Sequence, residues 1–166
     1  MTDKIDILRR YTAQPGPVDT VGLIRALGID YAEEPMPAGD SGRIVCDAEG
    51  RCRIIVNMAE RPQRKRFTAA HELAHFLLHR DLLDARGHLD RLFDEAAMRN
   101  PDSPLSHKHE VQANRFAADL LMPAAEIRAD YDPRTDNVAE LAKRFDVSKK
   151  AMTIRLKSLG LIDRVE

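Results

Sequence analysis

The segment FTAAHELAHFLLH, residues 67–79, has the composition of a buried helix but carries His71, Glu72 and His75 inside it. Taking such groups out of water is costly unless each finds a partner, and a metal ion is one partner that would satisfy them together. His71 and His75 are four residues apart, so a helix projects them from one face, one turn apart, within reach of a single ion. Glu72 flanks the pair and can reach a water on that ion without itself binding metal, which suits it to act as general base. In a chain with six histidines a chance HExxH arises roughly once in a hundred sequences. The rival reading is a pair of satisfied structural histidines beside a surface glutamate. The apolar setting argues against it.

Outward from this helix, Arg61-Pro62 supplies its start, and a hairpin precedes it: Gly42–Cys46, a turn at Asp47-Ala48-Glu49-Gly50, then Cys52–Asn57. Ile54-Ile55-Val56 is β-branched and continuous, which predicts cover on both faces. Upstream, helices are expected at Asp3–Thr12 and Asp19–Leu27, with Gly28 as a stop, and a strand at Ile29–Glu33. Glu34–Ser41, with two prolines and a glycine, reads as a flexible stretch. Downstream, Arg80–Ser106 carries only a weak pattern, and its end, from Asn100, reads as a loop. A strong helix is expected over His107–Met122, stopped at Pro123. Two short helices, Val138–Phe145 and Ser148–Leu159, flank a tight turn at Asp146-Val147 and form a helix-turn-helix-like unit. The fold class is therefore α+β, with a main domain over residues 1–132 and a C-terminal unit over 133–166.

A zinc site of this kind needs a third protein ligand and an open position. His79 continues the histidine face, but three histidines on consecutive turns spread over about 12 Å, too far for one ion. The metzincin pattern fails because residue 78 is Leu and residue 81 is Asp. Asp81, Asp84, His88, Asp94 and Glu95 have no recognisable ligand context. The best candidate is Glu110 in EVQANRFAADLLMP, residues 110–123. Alone it reads as a solvated glutamate favoured by the helix dipole. Beside an upstream HExxH it gains a role, because Asn114, one turn on, can orient a ligand histidine. Phe116, Leu120 and Leu121 offer the apolar packing.

HELAH followed by ExxANRFAADLLMP resembles the ImmA/IrrE family of metallopeptidases, a gluzincin-type group. The resemblance extends to RKRFTAA (64–70), FLLH (76–79) and the tail LAKRFDVSKKAMTIRLKSLGLI (141–162). It implies a zincin-like metalloprotease domain with a small sheet before the HExxH helix. It also implies one zinc per chain on His71, His75 and Glu110, with manganese or iron as lesser alternatives. The family pattern often places a second acid two residues after the ligand glutamate; Gln112 stands there, leaving Glu110 as the unambiguous carboxylate. Members of this kind cleave a transcriptional repressor, typically a helix-turn-helix protein encoded nearby, in prophage, mobile-element or stress regulation. Larger stress-response members add a C-terminal sensor domain, which this chain is expected to lack.

Other features bound the function. The formal net charge of −1 argues against indiscriminate nucleic-acid binding. No apolar run suits a membrane span, and the first residues do not read as a signal peptide, so a cytosolic location is expected, with Cys46 and Cys52 reduced. An extended substrate is expected to pair with an edge strand, the candidate being Cys52–Asn57 with Ile54, Ile55, Val56 and Asn57 in contact. His107 and His109 read as surface residues. Lys149, Lys150, Arg155 and Lys157 could make Ser148–Leu159 a DNA-recognition helix. Packing through Val147, Met152, Ile154, Leu156 and Leu159 is the favoured reading of that helix. The rival functions are a DNA-binding regulator with a structural or sensory metal, and a toxin-antitoxin-like interaction module.

Overall fold

The computed structural model describes residues 3–83, 88–90 and 106–163. The architecture is α+β. Helix α1 (Lys4–Thr12) is capped by Asp3, and α2 (Thr20–Ala26) by Asp19, whose carboxylate accepts from the Gly22 amide at 2.9 Å. Strands β1 (Asp30–Glu34), β2 (Gly42–Cys46), β3 (Cys52–Asn57) and β4 (His88–Asp90) form one sheet in the order β1-β3-β2-β4. β1 runs parallel to β3; the β2–β3 hairpin and the β2–β4 pair are antiparallel. Three strands precede the HExxH helix, as expected, and β4 follows it.

That helix, α3 (Pro62–Leu78), begins with proline in its first turn and runs into a single 3-10 turn at Arg80–Leu82. It packs against β2 and β3, and its residues Thr68, Ala69, Ala70 and Leu73 are all buried. Its seat on β2 is Gly42, where a Cβ would stand 2.5 Å from Thr68 Cγ2 and 2.9 Å from the Ile55 carbonyl oxygen. Helix α4 (His107–Leu121) packs against α3 and is capped by Ser106 and His109 acting reciprocally. Then come α5 (Ala124–Asp130), α6 (Val138–Phe145) and α7 (Lys149–Ser158). The α6–α7 turn pivots on Asp146 in the left-handed conformation, φ 54°. Asp146 also accepts from Arg66 Nε at 3.2 Å, which fastens this turn to α3. Val138, Leu141, Phe145, Met152 and Leu156 join the same buried cluster as Leu23, Ile54 and Leu73. Among the described residues, no helix is long and apolar enough to cross a membrane.

Five expectations are corrected. Cys46 and Cys52 form a disulfide: they face each other in the hairpin register with Cα atoms 4.1 Å apart, the separation of a closely spaced antiparallel pair. β3 is not an edge strand, because β1 and β2 occupy both of its hydrogen-bonding sides. Residues 34–41 are not loose throughout: Asp40 and Ser41 are buried, and Asn57 holds them through its side-chain and main-chain N–H groups. Pro123 does not simply stop α4 but occupies the cap position of α5, a helix the sequence reading missed. Ile154 is half-exposed rather than packed, while Val147, Met152 and Leu156 are buried.

Candidate metal centre

The α3–α4 contact is built from small residues. Ala74 on α3 and Ala113 and Ala117 on α4 are fully buried, which lets the two helices come close enough for short polar side chains to meet. His71 and His75 project one turn apart from α3, and Glu110 enters from the first turn of α4. His71 Nε2 lies 3.0 Å from Glu110 Oε2, His75 Nε2 lies 3.3 Å from Glu110 Oε1, and the two Nε2 atoms are 3.1 Å apart. All three side chains are buried.

Three donor atoms converging at these distances have the dimensions of a metal site. An ion held at about 2.0–2.1 Å by tetrahedral ligands separates those ligands by about 3.3–3.4 Å. The set is also chemically right, since two imidazoles and a carboxylate present lone pairs suited to a divalent ion of intermediate softness. Among the described residues, His71, His75 and Glu110 form the one group of three or more histidine, cysteine or acidic side chains close enough to share an ion. Glu72, next to His71 on α3, is fully buried as well.

The surroundings orient both rings. Asn114 Oδ1 lies 2.7 Å from His71 Nδ1. His79, rejected as a ligand on distance, stands behind the other histidine: its Nδ1 is 3.0 Å from His75 Nδ1, and its Nε2 is 2.7 Å from Gln112 Oε1. The signal for His79 was present in the i, i+4 spacing from His75, but reading it required the position of α4. His109 accepts from the Ser106 amide at 2.9 Å, and its ring centroid is 4.6 Å from that of His79. Desolvation, followed by the nearby His79 and Lys108, holds the His109 imidazole below its ordinary pKa, against an opposing pull from Glu110. His107 is exposed, as expected.

The structure does not bring Ile54–Asn57 forward as a substrate edge. Ile54, Ile55 and Val56 are core residues, and Asn57 is committed to Asp40 and Ala59. Asp81 lies in the 3-10 turn. Of the other carboxylates considered, Asp84, Asp94 and Glu95 fall outside the described residues, and only the backbone of His88 is described. In α7, Arg155 is buried, with Nε on the Met122 carbonyl at 3.0 Å and a terminal nitrogen on Asp119 at 2.9 Å. It is therefore used in packing and is not available to a phosphate. Lys149 and Lys150 are exposed.

Comparison with known proteins shows the family. The family model described as the IrrE N-terminal-like domain, a peptidase family, matches residues 24–157. The radiation response metalloprotease IrrE of Deinococcus radiodurans is 33% identical over 147 residues, covering 86% of this chain and 41% of that protein. The protein of the same name from Deinococcus deserti is 37% identical over 134 residues, covering 78% and 43% respectively. The chain thus spans less than half the length of these relatives. A solved structure described as a Mycobacterium tuberculosis transcriptional regulator shares the fold, with a TM-score of 0.58 at 19% identity, over 93% of this chain and 46% of that one.

Proposed function

Because the chain belongs to the peptidase family of the IrrE N-terminal-like domain, we propose that it is a zinc-dependent endopeptidase with its centre on His71, His75 and Glu110. The observation that carries this reading is the convergence of those three buried side chains from two helices. A zinc ion held there would supply Lewis acidity to the scissile carbonyl and to the attacking water.

The residues then divide the work. His71 and His75 offer Nε2 lone pairs, and Glu110 adds a carboxylate. Asn114 accepts from His71 Nδ1–H and so keeps the opposite nitrogen bare. Glu72 takes the proton of the attacking water on its carboxylate and delivers it to the leaving amine nitrogen.

The substrate of this proposal is a protein, and more narrowly a helix-turn-helix repressor encoded nearby, so that cleavage releases the genes it silences. The resemblance of HELAH and ExxAN to ImmA/IrrE metallopeptidases supports this substrate, and cytosolic action follows from it. A division of labour between residues 1–132 and 133–166 belongs to the same proposal, with the second unit serving packing or protein contact. The test is direct. Purified chain should hold about one zinc for a three-ligand site, and Glu72→Gln should keep the zinc while losing cleavage of the co-expressed repressor. Cleavage that survives Glu72→Gln would end this mechanism, and zinc retained by Glu110→Ala would end the ligand assignment.

A further inference from the structure

Each imidazole facing Glu110 has a second nitrogen, and α4 stands behind both. For His71 the link is direct, to Asn114. For His75 it runs through another ring: His75 Nδ1 to His79 Nδ1 at 3.0 Å, then His79 Nε2 to Gln112 Oε1 at 2.7 Å. His79 is itself buried.

Two ring nitrogens at hydrogen-bonding distance require one hydrogen between them, so the tautomers of neutral His75 and His79 are linked. The Gln112 carbonyl oxygen carries no hydrogen, so His79 Nε2–H must donate to it. His79 Nδ1 is then bare and accepts from His75 Nδ1–H. That leaves His75 Nε2 with its lone pair directed toward His71 and Glu110. The opposite orientation of the Gln112 amide reverses every step. Its NH2 would donate to His79 Nε2, His79 Nδ1–H would donate to His75, and a hydrogen would be left on His75 Nε2, where an ion needs a lone pair.

We propose that His79 and Gln112 are positioning residues: they form a tautomer relay in which a side-chain amide on α4 sets His75 in the state that binds metal. The proposal rests on the reading of His71, His75 and Glu110 as a metal centre.

The test uses the full chain and zinc itself, with dissociation constants measured by competition against a chromogenic chelator. Gln112→Glu can only accept and should bind zinc at least as tightly as the parent. Gln112→Lys can only donate and should bind about ten- to a hundredfold more weakly. Charge alone would also order the variants this way, so both are repeated with His79→Phe. The relay requires their spread to shrink by about tenfold once His79 cannot carry the signal; an unchanged spread overturns it. Long-range proton–nitrogen NMR of the zinc-loaded parent needs no substitution. It should show neutral His79 protonated at Nε2, and a hydrogen at Nδ1 overturns the relay even if zinc binds. A parent chain that takes up no zinc overturns the metal centre and the relay together.

Discussion

Asn114 and Glu110 grip opposite ends of one imidazole: Asn114 Oδ1 is 2.7 Å from His71 Nδ1, and Glu110 Oε2 is 3.0 Å from His71 Nε2. The two residues are one turn apart on α4, so a single rigid element sets both the tautomer and the direction of the ring. Asn114→Ala should weaken zinc binding by about ten- to a hundredfold with little change in unfolding midpoint. Asn114→Asp, which keeps an acceptor, should restore most of the loss. Equal zinc affinity in the parent and the alanine variant would remove Asn114 from the site.

Gly42 sets how deeply α3 sits on the sheet. A methyl group there meets Thr68 Cγ2 and a main-chain oxygen of β3, and the oxygen cannot move without disturbing the β2–β3 pairing. Gly42→Ala should destabilise the protein by about 1–3 kcal/mol, as overpacking does. Adding Thr68→Ser, which removes the nearer obstacle, should recover part of this in urea unfolding. Full stability in Gly42→Ala would show that α3 shifts freely.

Arg155 and Asp119 should respond unequally. Arg155 Nε satisfies the carbonyl of Met122 at the C-terminal end of α4, a group the helix cannot pair internally. Removing it in Arg155→Ala leaves that buried carbonyl stranded and should cost about 1–3 kcal/mol. Asp119 is mainly exposed, so Asp119→Asn should cost under about 1 kcal/mol. Urea midpoints of the two variants check the ratio, and equal losses would assign the stabilisation to the ion pair instead.

Lys65 donates to Glu33 at 2.8 Å, and this hydrogen bond holds the Glu33 carboxyl below the ordinary glutamate value. A depressed folded-state pKa stabilises the protein above the unfolded-state value of about 4.3, and the gain disappears as pH falls through the folded value. Glu33 is substantially exposed, so screening limits the gain to under about 1 kcal/mol. Parent and Lys65→Met should therefore differ slightly in urea midpoint near neutral pH and converge in acid. A gap that widens toward low pH would contradict this sign.

Features that depend on local periodicity were legible from the residues. The α3 histidines, the bounds of both hairpin strands and the Asp146 turn depend on neighbours a few positions away. Glu110 was legible only in combination, because a first-turn glutamate is ordinary until a distant HExxH gives it a partner. Strand order was not legible. The continuous β-branched run in Cys52–Asn57 describes which faces are covered, whereas its hydrogen-bonding edges are filled by β1 and β2 through long-range pairing. Compartment is a poor guide to the cysteines, because the hairpin register places them opposite each other. Proline at 123 both follows the end of α4 and starts α5, because the same fixed φ suits the start of a helix. The sequence shows only that Gln112 lacks a charge; the partner of its carbonyl oxygen depends on where α4 stands.

Glu110, Gln112 and Asn114 all lie within the first half of α4, with Arg155 fastening its far end. The centre is therefore sensitive to registry. A slip of α4 by one turn, about 5.4 Å along its axis, would offer Asn114 where Glu110 now stands, exchanging an anionic donor for a neutral amide. The same slip would draw the partners away from both rings together. Small errors in helix position are thus not averaged over independent contacts but are felt at every donor simultaneously, and the docked state is separated from its nearest neighbour by a change of chemistry.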